Sequence, residues 1–430
     1  MGVNTRRGLT VIGQNAVSLE MPDQMPVRGL SERAPTSHAV STAPASVVTE
    51  IIPLADIDTV YDRLETLARS AAEPNVFFEP AVLKAAMEEL KRTDRHFLIL
   101  VHEGGDNSPL IGAMPIEIVR HRWGPFLAVT QGWNHKMGVR GTPLIVPGHA
   151  ETFWREALEA IAKGPFPRML LIHTMVADGS GMAGLKAACQ AGSRHMTELD
   201  RVPYISLKTD LDDEAYLKQS MSSRRLGRTR KALADLSKMG TLESRVYRDE
   251  EEVMAAFTRF LKLEAAGWKG RERTAIMTKP DALRFFLKAI SAFARRGSVQ
   301  IDALELDGRP IGMSVAVMSG HTAFCWKTAY DETLAKYNPG YLTVMDVTRR
   351  IIDNPAIQDA DSCTEAGHSM MESLWSEKSE AADVLIDTRP ASGPSALQLA
   401  ARLEKSRRAA RGKAKKLYHA MRARLARRQA

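Results

Sequence analysis

Cysteine is scarce in this chain of 430 residues: Cys189, Cys325 and Cys363 are odd in number and scattered, which excludes a disulfide framework and a paired zinc-ligand motif. Long apolar runs are absent too, none approaching the roughly 20 residues that a membrane helix needs. The N-terminus has no basic start followed by an apolar run. A reducing, cytoplasmic setting is therefore expected. No Ser-His-Asp spacing or Cys-His motif stands out for nucleophilic catalysis. Acid is nearly missing from one region only: residues 391–430 hold twelve Lys and Arg against the single Glu404, while the other 390 residues carry 47 positive and 50 negative charges. The net charge of +8 thus belongs to an appendage, and a uniformly basic nucleic-acid surface is not supported.

What is present is a pattern that occurs twice. Residues 1–46 mix Ser, Thr, Pro and Gly without periodicity and read as a disordered arm. From Val47 the chain predicts a strand, helices over 56–70 and 80–92 around the loop Asn75-Val76-Phe77-Phe78-Glu79-Pro80, strands over 96–102, 110–120 and 126–130, a helix over 152–162 and a strand over 168–173. The second half repeats the order: strand 243–247, helices 249–266 and 281–296, strands 299–306, 311–318 and 322–328 joined by Asp307-Gly308 and Ser319-Gly320 turns, a helix after Pro339 and a strand near 358–362. Length and repetition predict a tandem α/β duplication with mixed, mostly antiparallel sheets flanked by helices. The divisions are 47–210 for the first half, 211–388 for the second and 389–430 for a linker and basic helical tail.

The stretch from Ala323 to Arg350 reads as strand, loop and helix. Asn338 suits an N-cap, Pro339 suits the first helical position, and Gly340 permits close approach. Free N–H groups of Gly340, Tyr341 and Leu342 at the positive end of the helix dipole could hold a pyrophosphate. An ordinary capped helix is the alternative. The corresponding first-half segment before Thr152 lacks the Asn-Pro-Gly arrangement, so a single donor site is expected.

Several of these motifs together resemble the GNAT acyltransferase superfamily, in its tandem CelD-like acetyltransferase branch and, more remotely, the FemABX aminoacyl transferases. They are Asn75 to Pro80, the basic run Ser223-Arg224-Arg225 with Arg228, Arg230 and Lys231, Glu264 to Gly270, Tyr330-Asp331, Asn338-Pro339-Gly340, and Asp361-Ser362-Cys363 with His368, Met371 and Trp375. The resemblance implies a GNAT-like fold in each half and an acyl-CoA-binding loop in the second, with acetyl-CoA or another acyl-CoA as co-substrate and no metal. It also implies a small-molecule or glycan-precursor acceptor shaped by the first half, of the kind used in polysaccharide or envelope biosynthesis. The loop has one Gly and no adjacent basic residue, unlike many superfamily members.

Direct acyl transfer needs a base for the acceptor and donors for the developing oxyanion. Glu264 is the first candidate base, with a solvent-facing carboxylate or a partner for Lys269 as alternatives. Asp331 competes, although an Asp after a strand is commonly a turn-former, and Tyr330 could serve as acid or as a core ring. Backbone N–H groups around Trp326, Lys327 and Thr328 are candidates for the oxyanion, if the strand edge is splayed. Trp268 and Lys269 could hold an anionic or sugar-like acceptor, and Arg224 and Arg225 phosphate or uronate groups on it; His368 and Trp375 resemble the family's final motif at the substrate, with His368 able to shuttle a proton. Packing, or a solvated helix, is the alternative for each. The tail could meet an anionic membrane surface from the inner face, contact RNA phosphates, or only solubilise. Two other functions stay open: an aminoacyl-tRNA-dependent transferase, with tRNA as its nucleic-acid partner, and a non-catalytic binding module. Oligomeric state is not encoded.

Overall fold

The computed structural model describes residues 46–90, 95–105, 108–124, 127–365, 367, 369–390 and 395–429. The arm read over 1–46 falls almost wholly outside them, as does His368. Ala45–Ala430 form one compact unit.

The strands among the described residues are β1 Val47–Pro53, β2 His96–Glu103, β3 Leu110–Val119, β4 Val129–Gly132, β5 Leu144–Ile145, β6 Met169–Val176, β7 Met196–Leu207, β8 Leu242–Tyr247, β9 Val299–Leu306, β10 Arg309–Ser319, β11 Thr322–Tyr330, β12 Asp359–Glu365 and β13 Lys378–Asp387. The α-helices are α1 Tyr61–Ser70, α2 Pro80–Glu89, α3 Ala150–Lys163, α4 Ser180–Ala191, α5 Asp213–Ser220, α6 Ser223–Ser237, α7 Glu250–Ala266, α8 Trp268–Arg271, α9 Pro280–Arg295, α10 Pro339–Ile352, α11 Ser369–Glu372 and α12 Ser395–Gln429. Strands such as β2 and β10 are nearly continuous apolar runs because helices cover both faces of the sheet. The stretch Val76–Phe78, expected as loop, is one turn of 3₁₀ helix capped by Asn75, whose side chain accepts the Phe77 amide.

One sheet runs through the unit in the order β1-β2-β3-β4-β6-β13-β7-β12-β11-β10-β9-β8, with β5 beside β3. Its pairs are antiparallel except β4 with β6 and β11 with β12. Each half repeats the same series, with the one-turn α8 added in the second: a strand, two longer helices, a three-strand meander, a helix, a parallel strand, a helix and a last strand. Periodicity does not reach the feature that joins them. The two last strands change places: β13 pairs with β6 of the first half, β7 pairs with β12 of the second, and the two pair with each other.

Side chains of the Asn75 to Pro80 motif hold the halves together. Phe77 meets Phe324 and Trp326 of β11 edge-on, with ring centroids 5.7 and 5.8 Å apart. Glu79 is buried and ion-paired with Arg296 just past α9. His135 lies in the same aromatic cluster, 5.5 Å from Phe285 of α9. Its Nδ1 accepts the Met137 amide while Nε2 faces the Phe77 carbonyl, which assigns the neutral Nε2–H tautomer. Burial pushes its pKa down from 6.5 to about 4. Between those values the unfolded chain takes up a proton that the folded chain refuses, so stability falls as pH drops from 6.5 towards 4. The gap corresponds to about 3 kcal/mol. Urea unfolding of the wild type and His135→Gln at pH 7 and pH 4.5 should show the wild type losing about 2 kcal/mol more than the variant. Equal losses in the two proteins would remove His135 as the cause.

The tail is not the free appendage expected. At the start of α12, Leu397 and Ala400 are buried against Leu171 of β6, Leu199 of β7 and Leu385 of β13. Glu404 is fully buried between Arg122, Trp123, Arg407 and Arg408. The single acid of the tail is thus its anchor. No helix among the described residues is long and apolar enough to cross a membrane.

Candidate functional site

β11 and β12 run parallel for three pairs only, Thr322 with Asp359, Ala323 with Ala360 and Phe324 with Asp361, and then part. On its other side β11 carries a bulge: Lys327 lies opposite Val315 and Cys325 opposite Ala316, leaving Trp326 without an opposite residue. A bulge bends the strand and re-aims its side chains. The wedge between the strands opens into a cleft of about 780 Å³.

That cleft passes through the sheet. Leu236 of α6 and Leu342 of α10 pack on one face of the second-half sheet, whereas Phe257 of α7 and Phe286 of α9 pack with Trp326 on the other. Arg225 and Arg228 of α6 and the start of α10 line the cleft on the first face, and Trp268 and Lys269 of α8 line it on the second. A long, thin molecule could therefore thread the wedge, its head among arginines and its tip beside Trp326 and Lys327. Arg225, Arg228, Thr229 and Ala232 share one helix face at i, i+3, i+4 and i+7. None of the described lining residues is a carboxylate.

Lys269 Nζ is 2.9 Å from Glu264 Oε1. Lys327 has no ion-pair partner among the described residues, and its Nζ lies over the Phe286 ring at 5.4 Å. Burial, and then the neighbouring charge of Lys269, push the Lys327 pKa down. Two wall residues, Asn338 and Cys363, have left-handed backbones at φ 52° and 56°. Such non-glycine conformations cost about 1–3 kcal/mol and persist only where the surroundings enforce them.

The enforcement at Cys363 comes from the first half. Asp361 Oδ1 accepts the Cys363 amide at 2.7 Å, taking the place of a strand partner where β12 leaves β11. The same carboxylate is gripped by Arg140, with Nε 2.7 Å from Oδ2 and Nη2 2.9 Å from Oδ1. Arg140 in turn lies 3.6 Å above the Tyr204 ring, and its carbonyl and that of Thr142 accept Asn75 Nδ2. Burial raises the Asp361 pKa, an effect that the charge of Arg140 opposes.

The first-half counterpart of the wedge is filled. β4 and β6 also part after two pairs, but residues 133–143 occupy the gap. Gly141 N–H donates to Thr174 O, and Thr142 Oγ1 accepts the Val176 amide. A Cβ at Gly141 would stand 2.1 Å from His173 O, so only glycine fits there. The filling loop is the one that delivers Arg140.

Of the residues expected at the site, Arg225, Trp268, Lys269, Trp326, Lys327, Thr328, Tyr330, Asn338, Gly340, Tyr341 and Leu342 line the cleft. Others do not. Glu264, the first candidate base, is buried with both oxygens engaged: Oε1 by Lys269 and Oε2 by the Ile276 amide at 2.8 Å, so it clamps the segment after α7. Asp331 caps the following turn through the Thr333 amide and hydroxyl and pairs with Arg309, a turn-former's role. Arg224 is exposed and off the cleft face of α6, where Arg228 takes its place. Trp375 is fully buried and donates Nε1–H to Thr348 Oγ1 at 2.8 Å, which makes it a core residue.

The α10 start is also corrected. Asn338 precedes it but makes no side-chain cap; its carbonyl accepts the amides of Tyr341 and Leu342, so of the three N–H groups expected free only that of Gly340 remains. Pro339 is buried and does not line the cleft. The space beside Gly340 is taken by the Tyr330 ring, 2.9 Å from where a Cβ would stand. Sequence reasoning missed Arg140, which has no local signal because its partner is 221 residues away. No group of His, Cys, Asp and Glu able to hold a metal occurs among the described residues.

The family model described as acetyltransferase (GNAT) domain matches residues 222–366. No curated protein matches the chain. Among solved structures, FemX covers 80% of this chain and 98% of its own, with 10% identity and a TM-score of 0.50, a likeness of fold. The C-terminal domain of a putative lysylphosphatidylglycerol synthetase from Agrobacterium fabrum (12% identity, 80% and 96% covered, TM-score 0.43) and a tandem GNAT protein from the clavulanic acid biosynthesis pathway (13%, 80% and 100%, 0.37) score lower.

Proposed function

Residues 222–366 match the acetyltransferase (GNAT) domain model, and from that match we propose that the chain is an acyl-CoA-dependent acyltransferase with one donor site, in its second half. The observation that supports this most is the cleft through the sheet where β11 and β12 part. Arg225 and Arg228 suit the phosphates of a CoA thioester, and the wedge where β11 and β12 part gives its arm a way through the sheet. The bound thioester supplies an activated acyl group. The chain's own residues do the rest: a backbone N–H on the cleft side of the bulged strand between Trp326 and Thr328 would donate to the developing oxyanion, and Trp268 and Lys269 present an aromatic, cationic rim to an anionic or sugar-like acceptor. With Glu264 and Asp331 both engaged, the acceptor's proton passes to solvent or to the Lys327 amine.

A thermal-shift series with acetyl-CoA, longer acyl-CoAs and free CoA tests the donor. Ligand at 100 times its Kd should add about 2.7 kcal/mol of apparent stability. The double variant Arg225→Ala/Arg228→Ala should weaken binding by about 100-fold, since two charge-assisted contacts are lost. No shift with any of these compounds would sink the proposal.

The fold likeness to FemX and the cations of the cleft favour a second reading, an aminoacyl-tRNA donor. The eight Lys and Arg after residue 408 would then belong to the donor surface. Deleting 409–430 keeps the docked start of α12 and separates the readings: acyl-CoA transfer that survives while charged tRNA gives no product would end the second.

A further inference from the structure

We propose that the chain acylates itself: Lys327 Nζ takes the acyl group from a thioester bound in the cleft, and the modified lysine closes the site. The inference rests on the acyl-thioester reading above and goes beyond it, because the acceptor is the protein.

The geometry points to this residue among all the cleft cations. Lys327 sits beside the bulge of β11, after the last β11–β12 pair, where the tip of a molecule threading the sheet would arrive. Arg225 and Arg228 lie at the other end and are not nucleophiles at neutral pH. Lys269 is the other amine lining the cleft, and Glu264 holds it as an ion pair. Lys327 instead projects over Phe286, within an aromatic wall completed by Trp326, whose ring is 4.9 Å from that of Phe286. Desolvation and the nearby Lys269 charge both favour the free amine, which is the nucleophilic form.

The step balances without a further reagent. The amine lone pair attacks the thioester carbonyl, a C–N bond forms and the C–S bond breaks. The sulfur leaves with the bonding pair and collects the proton released from nitrogen, giving an amide and a free thiol. An amide is far more stable than the thioester it replaces, so the product is an end state and not an intermediate. It also removes one positive charge and adds bulk at the cleft's reactive end.

The test uses the full chain incubated with acetyl-CoA and no acceptor, followed by intact mass and peptide mapping, with a thermal shift recorded in parallel. One added acetyl group, located on Lys327 and forming faster than on exposed lysines, is expected, because the desolvated amine is more often in its free, nucleophilic form. The variant Lys327→Arg keeps the charge and should gain no acetyl group in the cleft. A thermal shift without acetylation of Lys327 would overturn self-acylation and leave the donor reading standing. A second arm uses p-nitrophenyl acetate, which needs no CoA site. Preferential labelling of Lys327 there, with no thermal shift by acetyl-CoA, would overturn the CoA reading while keeping the reactive amine. Labelling no faster than at surface lysines in both arms would overturn the proposal.

Discussion

Replacing Glu404 by alanine is expected to detach α12 from the sheet and to cost about 3–5 kcal/mol, the usual penalty for removing one partner of a buried charge cluster. Glu404 accepts from Arg122 at 2.9 and 3.1 Å, from Trp123 Nε1 at 2.8 Å, from Arg407 at 2.6 and 3.0 Å and from Arg408 at 2.9 Å. Its loss would leave three arginines facing one another over a surface already holding Leu397 and Ala400. Burial alone would raise the Glu404 pKa, but the hydrogen bonds from Arg407, Arg122, Trp123 and Arg408 outweigh it and hold the carboxyl below the ordinary range. The sign follows: the contribution is complete above the ordinary value of 4.5 and is lost only as pH falls below it. Limited trypsin digestion at pH 7 should therefore cut Glu404→Ala rapidly between residues 390 and 411 and spare the wild type. Glu404→Gln, which keeps the shape and one acceptor oxygen, should fall between them. Equal digestion of all three, with equal urea midpoints, would show that the apolar contacts alone hold the helix.

The second large effect concerns the donor site from a distance. Arg140→Met strands Asp361, a buried carboxylate, and should cost about 3–5 kcal/mol. It should also free Cys363 from its left-handed backbone and so alter the wall of the cleft. The double variant Arg140→Met/Asp361→Asn removes both charges while keeping an acceptor for the Cys363 amide. It should recover most of the stability and most of the acetyl-CoA thermal shift, a coupling that a double-mutant cycle reads directly. Additive losses, with the double variant worse than either single one, would mean that Arg140 serves packing on Tyr204 and not the geometry of β12.

The parts of this protein legible in its sequence are those decided locally. The meander β9 to β11 follows from apolar runs broken by Asp307-Gly308 and Ser319-Gly320, and three of those four residues have the positive φ that such turns demand. The start of α10 follows from Pro339, and Lys269 follows as an available partner for Glu264 five residues before it. The choice between base and ion pair at Glu264 is not local, because the amide of Ile276 holds the second oxygen. Nor is the backbone of Asn338, where the residue expected to cap with its side chain turns left-handed and offers its carbonyl. Arg140 and Asp361 lie outside any local pattern: two charged residues in different halves carry no sign of each other until β7 and β13 bring the halves together.

The exchanged strands set a timetable for synthesis. β6 ends at Val176, and its partner β13 begins at Lys378, about 200 residues later. At roughly 5–20 residues per second of translation, the open edge of β6 waits on the order of 10 to 40 s for its neighbour. An unpaired, buried-type edge of that kind templates association with other chains. The first half alone, or a chain stopped before Asp387, is thus an aggregation-prone species, and yield in the cell should respond to translation rate and to chaperones that cover strand edges.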